Sequence, residues 1–309
     1  MAIIEEGQKA GLRQGRVLKG FGGFYYIQED HNTGKSLWEC RLRGRFRREK
    51  QEVLAGDLVA FATVDEAKLK GVVEEVLPRR NRLLRPPVAN VDQALVVLAV
   101  DWPQPDLWLL DRLLIMILAE GIEPLLCWNK EDLAKDSKLK ELTAPYEAAG
   151  ITQLATCALS GQGVEALSLH LAGKTTVLAG PSGVGKSSLL NQVEPGILLK
   201  TGDLSDKLGR GKHTTRHVEW LPLSVGGWVA DTPGFSQIFL PEKVGGAELA
   251  NYYQEFALYR EHCRFRSCLH HQEQDCAVQQ AVADKGIDQG RYQRYITFLQ
   301  EIQERDRKY

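Results

Sequence analysis

The sequence predicts a multidomain α/β protein: an N-terminal β-barrel of the OB type, a mostly parallel sheet built around a glycine-rich loop, and a C-terminal helical domain stapled by cysteines and histidine. Three observations predict it. Five short β-rich runs occupy the first 88 residues. Gly180-Pro-Ser-Gly-Val-Gly-Lys-Ser187 stands between an apolar β-branched run and the opening of a helix. Three cysteines and a histidine crowd into Cys263–Cys276. The expected boundaries are 1–88, 89–238 and 239–309.

Length and composition fit several ordinary globular cores: 309 residues, 43% of them hydrophobic. The net charge of -1 hides an uneven distribution, because residues 1–90 carry 17 Lys+Arg against 12 Asp+Glu. The longest apolar run, Leu107–Ala119, is interrupted by Asp111 and Arg112, and nothing at the N-terminus resembles a signal peptide. A soluble, cytoplasmic protein without membrane association is therefore expected. With no export signal, the six cysteines are expected as thiols, and the clustered three point to a metal rather than disulfides.

In chain order, the β-rich runs are Gly15–Leu18, Phe24–Ile27, Ser36–Cys40, Asp57–Ala62 and Gly71–Val76. Five strands of this kind suggest an OB barrel, whose curved face commonly takes nucleic acid. Arg41, Arg43, Arg45, Arg47, Arg48 and Lys50 form a basic run that suits phosphates, and Phe24, Tyr25 and Tyr26 offer stacking faces. The same charges also discourage pairing between strand edges. Pro78–Arg82 and Arg85-Pro-Pro87 read as a linker. Ala94–Val100 is a continuous apolar run of the buried parallel-strand type; a helix over Leu107–Glu120 and a strand over Pro124–Trp128 follow.

The loop at Gly180 fits G-x-x-x-x-G-K-S/T. Glycines let several backbone N–H groups converge on one centre, and the helix behind them adds a partial positive charge, so a polyphosphate is the expected ligand. Gly180, Ser182, Gly183, Val184, Gly185 and Ser188 are candidate cradle residues. Lys186 is expected to reach the terminal phosphates, and Ser187 to ligate Mg²⁺.

Asn129-Lys-Glu-Asp132, at a strand end, fits N-K-x-D. A carboxylate at Asp132 can accept both N1–H and the exocyclic amine of guanine, a pattern adenine does not present; Asn129 and Lys130 brace the loop. Thr156-Cys-Ala158 ends the next strand, and Ala158 is its expected base contact, with Cys157 set aside. Val164, Leu167 and Leu171 form a helical core stripe. Gly209–Arg216 is a glycine-rich basic stretch suited to a switch loop, with Thr214 or Thr215 as a Mg²⁺ ligand. Strands over His217–Leu223 and Gly227–Ala230 lead to Asp231-Thr-Pro-Gly234, a D-x-x-G element in which Asp231 holds Mg²⁺ through water and the Gly234 amide senses the γ-phosphate. In Ras-like GTPases the phosphate loop precedes the base-reading loops; here it follows them. A parallel sheet cut and rejoined elsewhere rebuilds the same site, so the middle domain is expected to be a circularly permuted P-loop GTPase.

Toward the C-terminus, Leu249, Tyr252, Tyr253, Phe256 and Tyr259 lie on a helical stripe of core residues. Cys263, Cys268, His270 and Cys276 are the ligand set of a closed tetrahedral Zn²⁺ site, with Arg264 and Arg266 on the intervening loop. A last helix carries Tyr292, Tyr295, Ile296 and Leu299.

Taken together, these motifs resemble the ribosome small-subunit-dependent GTPase A family over nearly the whole chain. The resemblance rests on Asn129–Asp132, Gly180–Ser187, Gly211–Thr215 and Asp231–Gly234 in permuted order, with Pro86–Gln93 and the Cys263–Cys276 cluster. It implies an OB-fold, a permuted GTPase and a zinc domain acting in late maturation of the small ribosomal subunit, with hydrolysis of GTP to GDP stimulated by that subunit. It also implies ribosomal RNA contacts from the barrel and the zinc domain, and a monomer. Ras-like proteins place glutamine after the D-x-x-G glycine; this chain has Phe235, which can neither orient nor deprotonate water. By analogy with the family, His213 is the expected water-positioning residue. A nucleotide-gated RNA-binding module with incidental hydrolysis is the alternative, and a P-loop kinase is disfavoured by Asn129–Asp132.

Overall fold

Residues 11–29, 36–49, 51–84, 86–133, 136–196, 218–230 and 239–307 are described by the computed structural model. β1 (Arg13–Phe21), β2 (Phe24–Glu29) and β3 (Leu37–Leu42), helix α1 (Gly44–Arg48), then β4 (Leu58–Asp65) and β5 (Lys70–Val76) form a closed barrel in the order β1-β2-β3-β5-β4. β3 and β5 run parallel; the other neighbours are antiparallel. Alternation along the strands sends Val17, Ile27, Trp38, Val59, Phe61 and Val73 inward, where they pack as one core.

Much of the expected basic surface is internally partnered. Arg41 lies over the Phe24 ring at 4.6 Å and Lys19 over Tyr26 at 5.4 Å, so two of the three aromatic faces are already covered by cations. Arg43 pairs with Glu74 at 2.6 Å and Arg45 donates to the Glu74 carbonyl. Arg43, Arg45 and Arg48 nevertheless line an open groove of about 870 Å³. Lys50 lies outside the described residues.

The stretch read as a linker is packed. β6 (Arg82–Leu84) and β7 (Pro87–Ala89) form a small antiparallel ribbon that drives Leu83 and Val88 into the main core. Arg79 grips the fully buried Asp57 carboxylate through two bonds of 2.7 and 2.8 Å, which ties the connection to the barrel. Proline is tolerated because a two-stranded ribbon asks for few N–H donors.

The middle of the chain alternates strand and helix: β8 (Gln93–Ala99), α2 (Leu107–Ala119), β9 (Glu123–Asn129), α3 (Asp136–Ala148), β10 (Thr152–Thr156), α4 (Val164–Leu171), β11 (Thr175–Ala179), α5 (Lys186–Val193), β12 (Trp220–Pro222) and β13 (Trp228–Ala230). The sheet order is β10-β9-β8-β11-β13-β12, parallel except for β12. Every residue of β8 is buried, as its central place requires. Of the strand expected over 217–223, Trp220–Pro222 forms and pairs with β13, while His217 lies outside the described residues.

In the C-terminal part, α6 (Gly246–Leu249), α7 (Ala257–Arg260), α8 (Ala277–Ala283) and α9 (Gln289–Asp306) surround a separate core. The helix expected through Leu249–Tyr259 is broken into short pieces, because Tyr253 leaves helical geometry at φ -109, ψ 82. That break places the Tyr253 and Phe256 rings edge-on to Tyr295 at 5.1 and 5.0 Å, so the stripe is buried but not by one helix.

α9 docks on α2 through a buried charge network. Asp111 accepts from Arg291 at 2.7 Å, from Arg294, and from the Tyr146 hydroxyl at 3.0 Å; Arg291 also reaches Glu255 at 2.5 Å. Burial acts to lower the Arg291 pKa, but the Asp111 and Glu255 carboxylates outweigh it and hold the guanidinium charged. Two buried arginines thus balance two buried carboxylates. Asp111→Ala removes one carboxylate and strands the surplus positive charge, so a loss of about 3 to 5 kcal/mol in urea unfolding is expected; a change under about 1 kcal/mol would mean the network is not buried as described.

Candidate functional site

The parallel strands β8, β9, β10, β11 and β13 all finish at one edge of the sheet, where ligands bind in open α/β folds. Ala99 and Thr156 both register with Asn129, and Ala179 with Val96, so the loops after these strands are neighbours in space.

Asn129 is the joint between them. Its side-chain amide donates to the Val184 carbonyl at 2.7 Å, and its side-chain carbonyl accepts from the Ala158 N–H at 3.2 Å and the Thr156 hydroxyl at 3.1 Å. The residue is 1% exposed, and its partners come from two segments, the phosphate loop and the end of β10, besides its own loop. α5 reinforces the joint, since Gln192 donates to the Ala158 carbonyl at 3.0 Å. Two glycines permit this closeness. At Gly180 (φ +124) a Cβ would lie 2.1 Å from the Val97 carbonyl oxygen; at Gly185 (φ +97) it would lie 2.3 Å from the Asn129 amide nitrogen.

Around that joint the remaining candidates take their places. Asp132 is exposed in the short turn Glu131–Leu133, and the Cys157 thiol donates to its carboxylate at 3.0 Å. Cys157, set aside in the sequence, thus orients the acid instead of meeting the base. Lys130, at φ +61, donates to the Trp102 carbonyl at 2.9 Å. Lys186 opens α5 and donates to the Gly180 and Pro181 carbonyls at 2.9 and 2.7 Å, folded back over the loop. Ser182 and Gly183 are exposed, Val184 is buried, and Ser187 and Ser188 are half-buried on the first turn of α5. His213, Thr214, Thr215, Asp231 and Gly234 lie outside the described residues, although β13 carries the chain to Ala230, in register with Val177 beside the phosphate loop. The arrangement can hold a phosphate chain over α5 and a flat base beside Asp132.

A second cluster lies between α7 and α9. Cys263, Cys268, His270 and Cys276 bring one ligand atom each within 4.8 Å of one another. A tetrahedral zinc ion with Zn–S of about 2.3 Å and Zn–N of about 2.0 Å requires S···S of about 3.8 Å and S···N of about 3.5 Å. Here Cys263 Sγ and Cys276 Sγ are 3.9 Å apart, and both lie near His270 Nδ1, at 3.6 and 3.5 Å. Three of the four donors therefore stand at tetrahedral spacings, with the Cys268 Sγ within 4.8 Å of the others, and the set suits the ion in its chemistry. Burial pushes the Cys268 thiol up to about 12 and raises Cys276, while it lowers His270. Burial thus disfavours the charged forms of Cys268, Cys276 and His270, and a cation would supply the field that deprotonates the thiols. The knuckle is folded by Glu273, which accepts from the N–H groups of Leu269, His271 and Gln272, and by the Tyr292 and Tyr295 hydroxyls, which donate to the His270 and Leu269 carbonyls. Prolonged treatment with a strong chelator is expected to release about one zinc per chain and to lower the melting temperature by several degrees; a chain with no bound zinc and unchanged melting would contradict the fit.

Comparisons with known proteins agree with this fold. The family model for the RsgA GTPase matches residues 76–241, and that for the RsgA N-terminal domain matches residues 14–73. The small ribosomal subunit biogenesis GTPase RsgA of Caldanaerobacter subterraneus subsp. tengcongensis is 46% identical over 96% of this chain and 97% of its own length. Its Moorella thermoacetica counterpart is 47% identical over 96% of this chain and 99% of its own. Among solved structures, YjeQ from Thermotoga maritima superposes with TM-score 0.81 at 34% identity, covering 94% of this chain and 98% of that one. YloQ, described as a circularly permuted GTPase, superposes with TM-score 0.80 at 34% identity, covering 97% and 98%.

Proposed function

The chain belongs to the RsgA GTPase family, and from that membership we propose that it binds the small ribosomal subunit, assists its late maturation, and hydrolyses GTP to GDP and phosphate as it leaves. The observation that carries the GTP site is Asn129, which fastens the phosphate loop to both base-side loops. In this reading Asp132 reads guanine, with Ala158 at its edge and Lys130 beside it. Gly180, Ser182, Gly183, Val184, Gly185, Ser187 and Ser188 cradle the phosphates, and Lys186 leaves the Gly180 and Pro181 carbonyls for the terminal phosphate.

Mg²⁺ neutralises charge developing on the phosphates; Ser187, Asp231 and one of Thr214 and Thr215 are its proposed ligands. Asp231 and Gly234 form the γ-phosphate sensor, and His213 orients the attacking water. Phe235 offers no such group, so hydrolysis away from the subunit is slow. Cys263, Cys268, His270 and Cys276 hold one structural Zn²⁺. The barrel groove lined by Arg43, Arg45 and Arg48, and the exposed Arg264 and Arg266, meet ribosomal RNA. We place the protein in the cytoplasm as a monomer; no helix among the described residues is long and apolar enough to cross a membrane.

Steady-state GTP turnover with and without purified small ribosomal subunits tests the reading. Stimulation of at least about tenfold is expected, as when a partner completes a GTPase site. Equal rates would contradict it in favour of an RNA-binding module with incidental hydrolysis.

A further inference from the structure

Resting on the GTP-site reading above, we propose that Trp102 is a wall of the nucleotide site, its indole covering the nucleoside of a bound guanine nucleotide and setting how tightly that nucleotide is held.

The segment between β8 and α2 crosses the ligand-binding edge from the base side to the phosphate side. The Trp102 carbonyl accepts from the Lys130 amine at 2.9 Å, on the base side. The Pro103 ring stands 3.9 Å from the position a Cβ would take on Gly183, in the phosphate loop. Asp101 is ion-paired with Lys138 of α3, and Asp106 caps α2 by accepting from the Leu109 N–H at 3.0 Å. Three bonds therefore hold the segment on both sides of Trp102, with Pro103 close to the phosphate loop, yet the Trp102 side chain is 69% exposed. The large buried indoles Trp38, Trp128 and Trp220 are at most 1% exposed, and the half-exposed Trp108 packs against Phe298 at 5.9 Å.

An apolar ring held out in water by a fixed backbone has little entropy left to lose when a flat partner covers it. The two loops that Trp102 bridges are those that grip opposite ends of a nucleotide. What lies between those ends is ribose and base, whose faces an indole can cover without hydrogen-bond demands. Base identity remains with Asp132; Trp102 contributes affinity.

The test uses the full chain, with GDP and GTP as probes. In the unsubstituted protein, saturating GDP is expected to protect part of the tryptophan fluorescence from acrylamide, and in Trp102→Ala this protection disappears. The same variant raises the KM for GTP about three- to tenfold, equivalent to about 0.7 to 1.4 kcal/mol, with kcat within about twofold. Trp102→Phe recovers most of the affinity, which a structural role of the backbone ties would not produce. GDP binding without protection, or a Trp102→Ala variant that binds GDP as well as the parent, overturns the proposal while leaving the GTP site intact. Failure of the parent to bind GDP at all overturns the GTP-site reading and this inference with it.

Discussion

Asp132→Asn is expected to exchange guanine for xanthine as the base this protein accepts. The carboxylate has two acceptor oxygens for guanine N1–H and the exocyclic amine. An amide replaces one acceptor with a donor, which then faces the guanine amine, whereas xanthine presents a carbonyl at that position. Sites built around such hydrogen bonds reject the wrong partner strongly, so GDP affinity should fall about 10³-fold or more while XDP affinity rises to replace it. The variant should fold normally, because Asp132 is exposed and the amide oxygen still accepts from Cys157. Competition binding with GDP and XDP checks the outcome. Unchanged preference for GDP would mean that Asp132 does not face the base.

Lys186→Ala is expected to remove turnover while leaving base selection in place. In the structure the ammonium is held by the Gly180 and Pro181 carbonyls, 2.9 and 2.7 Å away, and so is stored beside the space the phosphates are proposed to fill. No other described lysine or arginine opens α5. Losing a positive charge aimed at the transferring phosphoryl group should cost about 10²-fold or more in kcat for GTP. Single-turnover hydrolysis measures it, and preference for GDP over ADP should survive, since Asp132 is the residue proposed to read the base. A rate within about threefold of the parent would remove Lys186 from the proposed catalytic group.

What could be read from the sequence was local. Gly180–Ser187 and Asn129–Asp132 carry their chemistry in adjacent residues, so their spacing announces both ligand and place on the sheet. The barrel strands announced themselves by alternation, and their closure through the parallel β3 and β5 pair agrees with the fold expected from them. The cluster at Cys263–Cys276 was legible because thirteen residues of separation contain all four donors. Partnerships between distant residues were not. Asp111 and Arg112 read only as interruptions in an apolar run, yet Asp111 anchors Arg291 and Arg294, 180 and 183 residues away in sequence, and Arg112 grips Glu301 with two bonds of 2.7 Å. The signal available was an acid inside an otherwise apolar helix, paired with arginines three apart on the last helix. The tie from Cys157 to the Asp132 carboxylate was missed for a similar reason, since the two are 25 residues apart and meet only across neighbouring strand ends. The broken helix at Tyr253 shows tertiary packing overriding periodicity: Tyr253 and Phe256 both meet Tyr295 edge-on where the backbone turns. The apparent linker carried turn residues, but Leu83 between its two pieces and Val88 just after them were the clue that it would be buried.

The central claim is that loops out of their usual chain order converge on one guanine nucleotide, with Asn129 as their common fastening. Equilibrium titration of the purified chain with GDP and with ADP, in the presence of magnesium, tests it most directly. The account predicts saturable binding of one GDP per chain and an ADP affinity weaker by about 10³-fold or more. Comparable affinities for the two nucleotides would contradict it, because a pocket that Asp132 does not complete has no means of telling them apart.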